Sequence, residues 1–597
     1  MDNLFIGIIV AWACLGLGAY GLRLFRISAN HVFEEAALSG ALGFGLMAFI
    51  VFIVGSLKLL YPALMVTIVA GIFFLTLRLS GTLLAQAAKE ALRGFRAAPL
   101  YFKLALGLSV VVAGFSLCGV LAPPTGQDEL CYHLTQPKNY LRAHAIYEVP
   151  FSTNSLWPYL GEMLFTLGLL LKGPETAKFF HFFYYLLTIL LVYSCALRHF
   201  GKKAARWASV FYALMPAAFM QASYAYIDHV LACYFLAAFY CVAEFLENRK
   251  YGWAALGGVF CGLCLSAKLI GLFSLPAILT IVLLDVFLKK NTKNILRGAL
   301  IFGICAFLFG ALFYVRSWAL RGNPVFPFYP QFFGSHGWPD PTYVNAHGRG
   351  EGILDFFLLL WDTAIHPKWF GGEHVGICFL AFFPLSFFLV KLERRFFYTL
   401  AYLFVVTALW FVVDQNIRFF FGGLALAAVI SGAAAAAVLD LPGSAFRRTA
   451  QTALLLFLAI QSAIGVYHFR REAALIFHGS KENYLLSRER TYAVARTINP
   501  MLSPNDVILS YGEIRGYYFD NRMVLDGDFD QFTHYSQKHY SSLERRNYFR
   551  SCGFTHVLML DGAHSPSEVW PEENSIYFKS KAVIHADGMR YILYQIV

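Results

Sequence analysis

Residues 103–140 read KLALGLSVVVAGFSLCGVLAPPTGQDELCYHLTQPKNY. The first half, 103–121, is an apolar run of the length a helix needs to cross a bilayer, about 20 residues. Pro123 and Pro124 end it. Asp128, Glu129, Tyr132 and His133 follow within twelve residues of the end of that run. A helix beginning near Gln127 puts Asp128 and Tyr132 on one face, four positions apart. Two readings of Asp128 compete. It caps that helix, since acidic residues favour a first turn, or it is a reactive carboxylate at the membrane surface.

The rest of the chain is made of the same material. Of its 597 residues, 58% are hydrophobic and 14% charged, against about 45–50% and about 25% in soluble proteins. This excludes a soluble enzyme, a disordered chain and a disulfide-rich secreted scaffold. The net charge of +12 is not a nucleic-acid footprint, because it is spread in short groups between apolar runs. Those runs lie near 4–24, 36–57, 60–78, 103–121, 179–197, 205–222, 226–246, 253–269, 271–288, 298–315, 374–391, 397–412, 418–439 and 449–467, about fourteen spans. The first lacks a basic leader and a small-residue cleavage site, and reads as a retained helix. Basic clusters (Arg23 and Arg26, Arg78 to Lys103, Arg198 to Arg206, Arg249 and Lys250, Lys289 to Arg297, Lys391 to Arg395, Arg447 and Arg448) all follow odd-numbered runs. One orientation places every cluster in the cytoplasm, with both termini outside.

The opposite face then receives loops 122–178 and 316–373, a short one near 413–417, and the tail 468–597. Within the loops, 156–172 and 354–370 read as helices lying in the interface plane. The tail is polar and mixed. DVILSY (506–511), RMVL (522–525) and HVLML (556–560) read as strands, and 543–550 as a helix. Residues 583–596 alternate around Asp587-Gly588, a hairpin signal. The fold class is an all-α polytopic membrane domain with a C-terminal extracytoplasmic α/β domain. Its divisions are a three-helix extension at 1–100, a membrane core at 101–468 and the α/β domain at 469–597. Asp526 and Asp528 in VLDGDFDQF read as turn residues ahead of a metal site. Most of the 11 cysteines lie in apolar runs as small hydrophobes. Cys261 and Cys264 have no second pair, and whether Cys131 pairs with Cys552 is open.

Further ionisable residues fall on the side where Asp128 emerges. Asp228 and His229 stand in YAYIDHVL, Lys268 in LSAKLIG, Arg316 after the tenth run, and Arg418 in DQNIRFFFG. Each has a plain alternative: snorkelling for Lys268 and Arg316, capping or a structural pair for Asp228. Charges at the ends of spanning helices are costly unless paired or facing water. Two acids and three cations at one depth therefore point to a site. Such a set suits a lipid-linked phosphate reacting with an external acceptor. Cations neutralise the leaving phosphate and a carboxylate takes the proton of the attacking group. Tyr147, Trp157, Tyr159, Trp361 and Trp369 in the outer loops suit sugar stacking or an interfacial belt.

The series QDELCYHL, SLWPYLGEMLFTLG, FFYYLLTILLVYSCALRHFGKKAARWASVFYALMP, YIDHVLACYFLAAF, GGVFCGLCLSAKLIGL and NIRFFFGGLALA resembles, in that order, the GT-C superfamily of integral membrane glycosyltransferases. It is most similar to the branch of protein O-mannosyltransferases and lipid A aminoarabinose transferases, over roughly 103–440. The resemblance implies a polyprenyl-phosphate sugar donor, an extracytoplasmic acceptor and inverting transfer. It implies Asp128 as general base, Glu129 as its acidic neighbour and Asp228 as an orienting or acceptor-binding acid. Lys268 and Arg418 are implied at the donor phosphate, with Arg316 a looser match. Tyr132, His133 and His229 join them as substrate-binding candidates. The helices before residue 100 and the α/β tail depart from the family plan. Asp128, Glu129, His133, Asp228 and His229 carry metal-ligating atoms without dense ligand spacing. No metal is assigned, and a divalent cation is the one cofactor left open. The implied setting is a bacterial inner membrane, with no nucleic-acid partner. The alternatives are a transporter or flippase of lipid-linked sugars, for which midplane charges and paired halves are expected, and an assembly module acting through its tail.

Overall fold

The computed structural model describes residues 2–289, 294–334, 347–526, 542–561 and 576–597. Among the described residues, eleven helices are long and apolar enough to cross a membrane, and the chain is a multi-pass membrane protein. The three other expected runs fall on shorter helices. These are Lys202–Ala213, Tyr251–Ala267 and Ile377–Leu389.

The expected span 205–222 is broken. Lys202–Ala213 ends, and a new helix, Pro216–Gln221, begins after an extended Met215 (φ −68°, ψ 119°). Pro216 has no N–H to give the preceding turn, and its ring disfavours a helical residue before it. The amide of Ala217 donates instead to the carbonyl of His374 (2.8 Å), which draws a distant loop to this break. The third span runs further than its apolar stretch. Pro62–Arg96 is 35 residues long, about 52 Å at 1.5 Å per residue, so it outlasts the hydrocarbon.

At the centre stands Asp228–Asn248, buried along its membrane stretch. It packs on Pro174–Phe200, Tyr251–Ala267 and Phe421–Asp440. Close approach elsewhere rests on small residues. Gly258 and Gly262, one turn apart on Tyr251–Ala267, face the backbone of Ile295–Arg321. A Cβ at Gly262 would come 2.7 Å from the Ala306 carbonyl, and one at Gly258 would overlap that of Phe302. With little hydrophobic drive between helices in lipid, such backbone contact is what holds them. It also fixes the helix that ends at Lys268.

The loop helices divide. Ile353–Ile365 turns Ile353, Phe357 and Trp361 outward, each more than half exposed, as an interfacial helix would. Leu160–Leu171 does not: every residue from Leu160 to Gly168 is buried. It packs against Val32–Ser56 and Pro174–Phe200, so the expectation that 156–172 lies in the interface is corrected. Apolar composition alone did not separate burial in protein from burial in lipid.

The tail forms a five-stranded sheet. Its strands are β1 (Val507–Tyr511), β2 (Arg522–Asp526), β3 (His556–Leu560), β4 (Phe578–Ala586) and β5 (Met589–Ile596), in the order β2-β1-β3-β5-β4. β1 is parallel to β2 and β3, and β5 is antiparallel to β3 and β4. Both faces are covered. Val494 and Ile498 of Arg490–Ile498 pack on Ile508 and Leu558, and Phe549 of Ser542–Ser551 packs on Leu509 and Val557. Burial on both sides explains why β1 and β3 read as continuous apolar runs. Asp587 and Gly588 turn β4 into β5 with φ of 50° and 73°, the left-handed pair a tight hairpin needs. Asp528 lies outside the described residues, as does the side chain of Asp526. No disulfide forms among the described residues, Cys131 and Cys552 included.

Candidate active site

The segment after the two prolines makes one wide π-helical turn, Glu129–His133, closed by the amide of Leu134 on the Glu129 carbonyl (2.9 Å). Such turns insert one extra residue and re-aim side chains. The cap falls to Glu129, not Asp128. Oε2 of Glu129 accepts from the amides of Thr125 (3.0 Å) and Gly126 (2.7 Å), and Oε1 from that of Ala225 (2.7 Å). Glu129 is fully buried. Its carboxylate is committed to fastening the loop onto the segment before Asp228.

Asp128 is left to face Arg418. One guanidinium spans both acids: Nη1 donates to Asp128 Oδ2 (2.8 Å) and Nε to Asp228 Oδ2 (3.2 Å). Asp228 is the first residue of its helix. Arg418 lies on a short 3-10 turn, Ile417–Phe420, capped by Asn416, whose Oδ1 accepts the Arg418 amide (3.1 Å). The Tyr226 ring lies beneath the guanidinium, 4.2 Å away, a favourable cation–π geometry. Burial alone would push the Asp128 carboxyl up. Arg418, helped by His133 and Lys268, outweighs it and holds the group below the usual carboxylate range. Asp128 is therefore ionised at neutral pH.

Beside these two carboxylates, two cationic donors stay unspent. Arg418 Nη2 is buried with no hydrogen-bond partner. Lys268 sits in an extended link (φ −163°, ψ 154°) between Tyr251–Ala267 and the turn Leu269–Phe273. Its Nζ lies 3.9 Å from the centre of the Phe419 ring, and among the described residues no carboxylate lies within ion-pair distance. Elsewhere in the membrane domain, Arg198 pairs with Glu244 (2.7 Å) and Lys289 with Asp285 (2.8 Å). Unspent donors beside two carboxylates are an arrangement able to receive an anion and to move a proton.

The other candidates lie around this centre or apart from it. His133 is buried, with Nδ1 2.7 Å from Oε1 of Glu162, while its Nε2 and the second oxygen of Glu162 have no partner. Tyr132 stacks obliquely on His133, ring centres 4.2 Å apart, and edge-on to Trp157. His229 faces away, its ring held by the Tyr212 hydroxyl (3.1 Å) and the Ala218 carbonyl (2.8 Å). Arg316 bonds to none of Asp128, Asp228 and Arg418: its Nη1 donates to the carbonyl of Ser155 (2.8 Å), and its Nη2 is buried without a hydrogen-bond partner. Among the described residues no three His, Cys, Asp or Glu side chains converge to hold a metal ion. With Glu129 and His229 committed elsewhere, the five residues considered as ligands do not fit one.

Sequence reasoning passed over Tyr226, Glu162, Gln221 and Glu373. Gln221 Nε2 donates to Glu373 Oε1 (2.7 Å), leaving Gln221 Oε1 and Glu373 Oε2 buried and unpartnered. Burial raises the Glu373 carboxyl to about 7; Arg418 opposes this and Asp228 adds to it. For Glu162 a signal existed, as the lone acid in an apolar stretch.

Comparison with known proteins bears on the family and the fold. Residues 155–321 match the family described as dolichyl-phosphate-mannose-protein mannosyltransferase. The fold is shared with ArnT from Cupriavidus metallidurans in the apo state (TM-score 0.55, 15% identity, 82% of this chain and 98% of that one). It is shared equally with the same protein bound to undecaprenyl phosphate (TM-score 0.54, 15% identity, 84% and 99%). The Archaeoglobus fulgidus oligosaccharyltransferase in the apo form is similar over 76% of this chain and 69% of that one (TM-score 0.50, 15% identity). No curated protein matches the chain in sequence. The fold is thus that of the GT-C membrane glycosyltransferases, with an α/β domain at the C-terminus. By this partial family match and this fold the chain is a membrane glycosyltransferase that resembles the protein O-mannosyltransferase and ArnT branch.

Proposed function

We propose that the protein moves a sugar from a polyprenyl-phosphate donor to an extracytoplasmic acceptor, by inverting displacement with Asp128 as base. The setting is a bacterial inner membrane, with the site and the tail on the outer face. Residues 101–468 form the catalytic core, and 1–100 and 469–597 are additions to it. The observation that carries this reading is the double bridge of Arg418 to Asp128 and Asp228, with Nη2 and Lys268 left to receive an anion.

The chemistry follows from charge. Asp128, Asp228, Arg418 and Lys268 sum to zero. The donor's phosphodiester brings one negative charge and leaves with a second as the bond from the anomeric carbon to the phosphate oxygen breaks. Lys268 and Nη2 of Arg418 lie where that charge grows. As the guanidinium turns to the phosphate, Asp128 is released to take the proton of the attacking hydroxyl or amine. The acceptor atom bonds to the anomeric carbon from the opposite face, which inverts it. Asp228 keeps its hold on Nε and orients the guanidinium.

The test is Asp128→Asn in a transfer assay with labelled polyprenyl-phosphate sugars, on protein purified in detergent. The amide preserves the shape and removes the base, so the rate should fall by about 10² to 10⁴. Full activity in a well-folded variant removes the mechanism. Movement of the lipid between leaflets without a new glycosidic bond would favour a flippase.

A further inference from the structure

The tail is not a separate appendage. The link between β1 and β2 reaches back onto the loop that carries Asp128. The amides of Gly516 and Tyr517 both donate to the carbonyl of Leu130 (2.9 and 3.1 Å). The hydroxyl of Tyr518 donates to the carbonyl of Pro124 (2.7 Å). In return, Lys138 Nζ donates to the carbonyls of Tyr517 (2.7 Å) and Phe519 (3.0 Å), and Arg142 to those of Phe519 and Asp520. The contacts at Pro124 and Leu130 bracket Asp128 on both sides.

The link is itself held rigid. Glu513 is buried. Its carboxylate accepts from the amides of Ile514 (3.0 Å) and Arg515 (3.1 Å), from Arg515 Nε (2.9 Å) and Nη2 (2.8 Å), from Arg490 (3.3 Å) and from the Tyr591 hydroxyl (2.8 Å). Arg515 reaches on to Glu489 (3.1 Å). Asn499 donates to the Tyr518 carbonyl (3.2 Å), and Asn521 to the carbonyls of Ser503 (2.7 Å) and Asp506 (3.1 Å). A plain connection between two strands needs none of this. A buried, fully paired polar network fixes one conformation, and here the fixed part is the part that touches the catalytic loop.

We propose that 513–521 is a brace that sets the position of Asp128, with Tyr518 and Lys138 as positioning residues. The catalytic half of this rests on Asp128 being the base. The brace itself stands on contacts that can be measured without any sugar. The site needs such help because 124–134 is an irregular loop that must hold a carboxylate in one place, and displacing a base by about 1 Å costs about a hundredfold in rate.

The experiment uses the full chain in lipid nanodiscs, with Tyr518→Phe, Lys138→Met and, as a tail control distant from the loop, Arg546→Ala. Amide hydrogen exchange of peptides within 124–134 should speed up by about threefold to tenfold in the first two, the effect of one lost buried hydrogen bond, and not in the control. The transfer kcat should fall in the same two variants. Affinity for undecaprenyl phosphate, read by tryptophan quenching, should stay within about twofold, because Lys268 and Arg418 are untouched. Unchanged exchange at 124–134, or an equal change in Arg546→Ala, overturns the brace, as does a fall in kcat without faster exchange. Faster exchange in a protein that transfers no sugar supports the brace and sinks the glycosyl-transfer reading alone.

Discussion

Replacing Arg418 by methionine keeps most of the side chain's length and removes the guanidinium. Asp228 is 1% exposed and Asp128 27%. Water can recover part of the charge on Asp128 but little of that on Asp228. Removing one partner from a buried ion pair costs about 3–5 kcal/mol, and the lost contact with the Tyr226 ring adds roughly 1 kcal/mol. The variant should therefore unfold about 4 kcal/mol more easily at pH 7.5. Arg418→Lys should fall between, because one ammonium cannot span two carboxylates as the planar fork does. The penalty has a definite pH dependence. In the wild type the Asp128 carboxyl lies below its ordinary value, so the stability it contributes is present above about pH 3.9 and is lost as pH falls through the lower folded value. In Arg418→Met only His133 and Lys268 remain to oppose burial and the carboxyl rises, so acid relieves the variant. The stability gap should narrow as pH falls from 6 to 4. Denaturation in mixed micelles, followed by tryptophan fluorescence at several pH values, measures it. A variant as stable as wild type at pH 7.5, or a gap that widens in acid, refutes this electrostatic account.

Lys268→Met should weaken undecaprenyl phosphate binding by about tenfold to a hundredfold, the worth of one charge-assisted contact, and leave the melting temperature almost unchanged; titration by tryptophan quenching reads both affinities. Glu129→Ala strands three amides, two of them buried, and should cost at least about 2 kcal/mol, seen as a lower melting temperature together with lost activity. Glu373, held near 7 by burial, binds a proton in the folded state that the unfolded chain has already released. Stability should therefore decline as pH rises from about 4.5 to 7, and Glu373→Gln should flatten that slope in a series of melting curves.

Much of this molecule was readable in advance, for physical reasons. A bilayer demands apolar runs of fixed length, so the spans could be located from composition. The left-handed turn at Asp587-Gly588 and the two-sided burial of β1 and β3 left equally local marks. Asp128, Asp228, Lys268 and Arg418 were grouped because each is a costly charge at a helix end on one side. The misses are of another kind. The role of Glu129 depends on where three backbone amides point, and the Ser155 carbonyl that takes one end of Arg316 lies 161 positions distant. Gln221 and Glu373 meet only because Pro216 breaks a helix that apolar content alone had carried through.

The brace also fixes an order of manufacture. Pro124 leaves the ribosome 394 positions ahead of the tyrosine that holds it, and the sheet bearing that tyrosine needs β5 to be complete. Until the tail has folded, the nascent protein has its membrane helices but lacks the contacts to Pro124 and Leu130 on either side of Asp128.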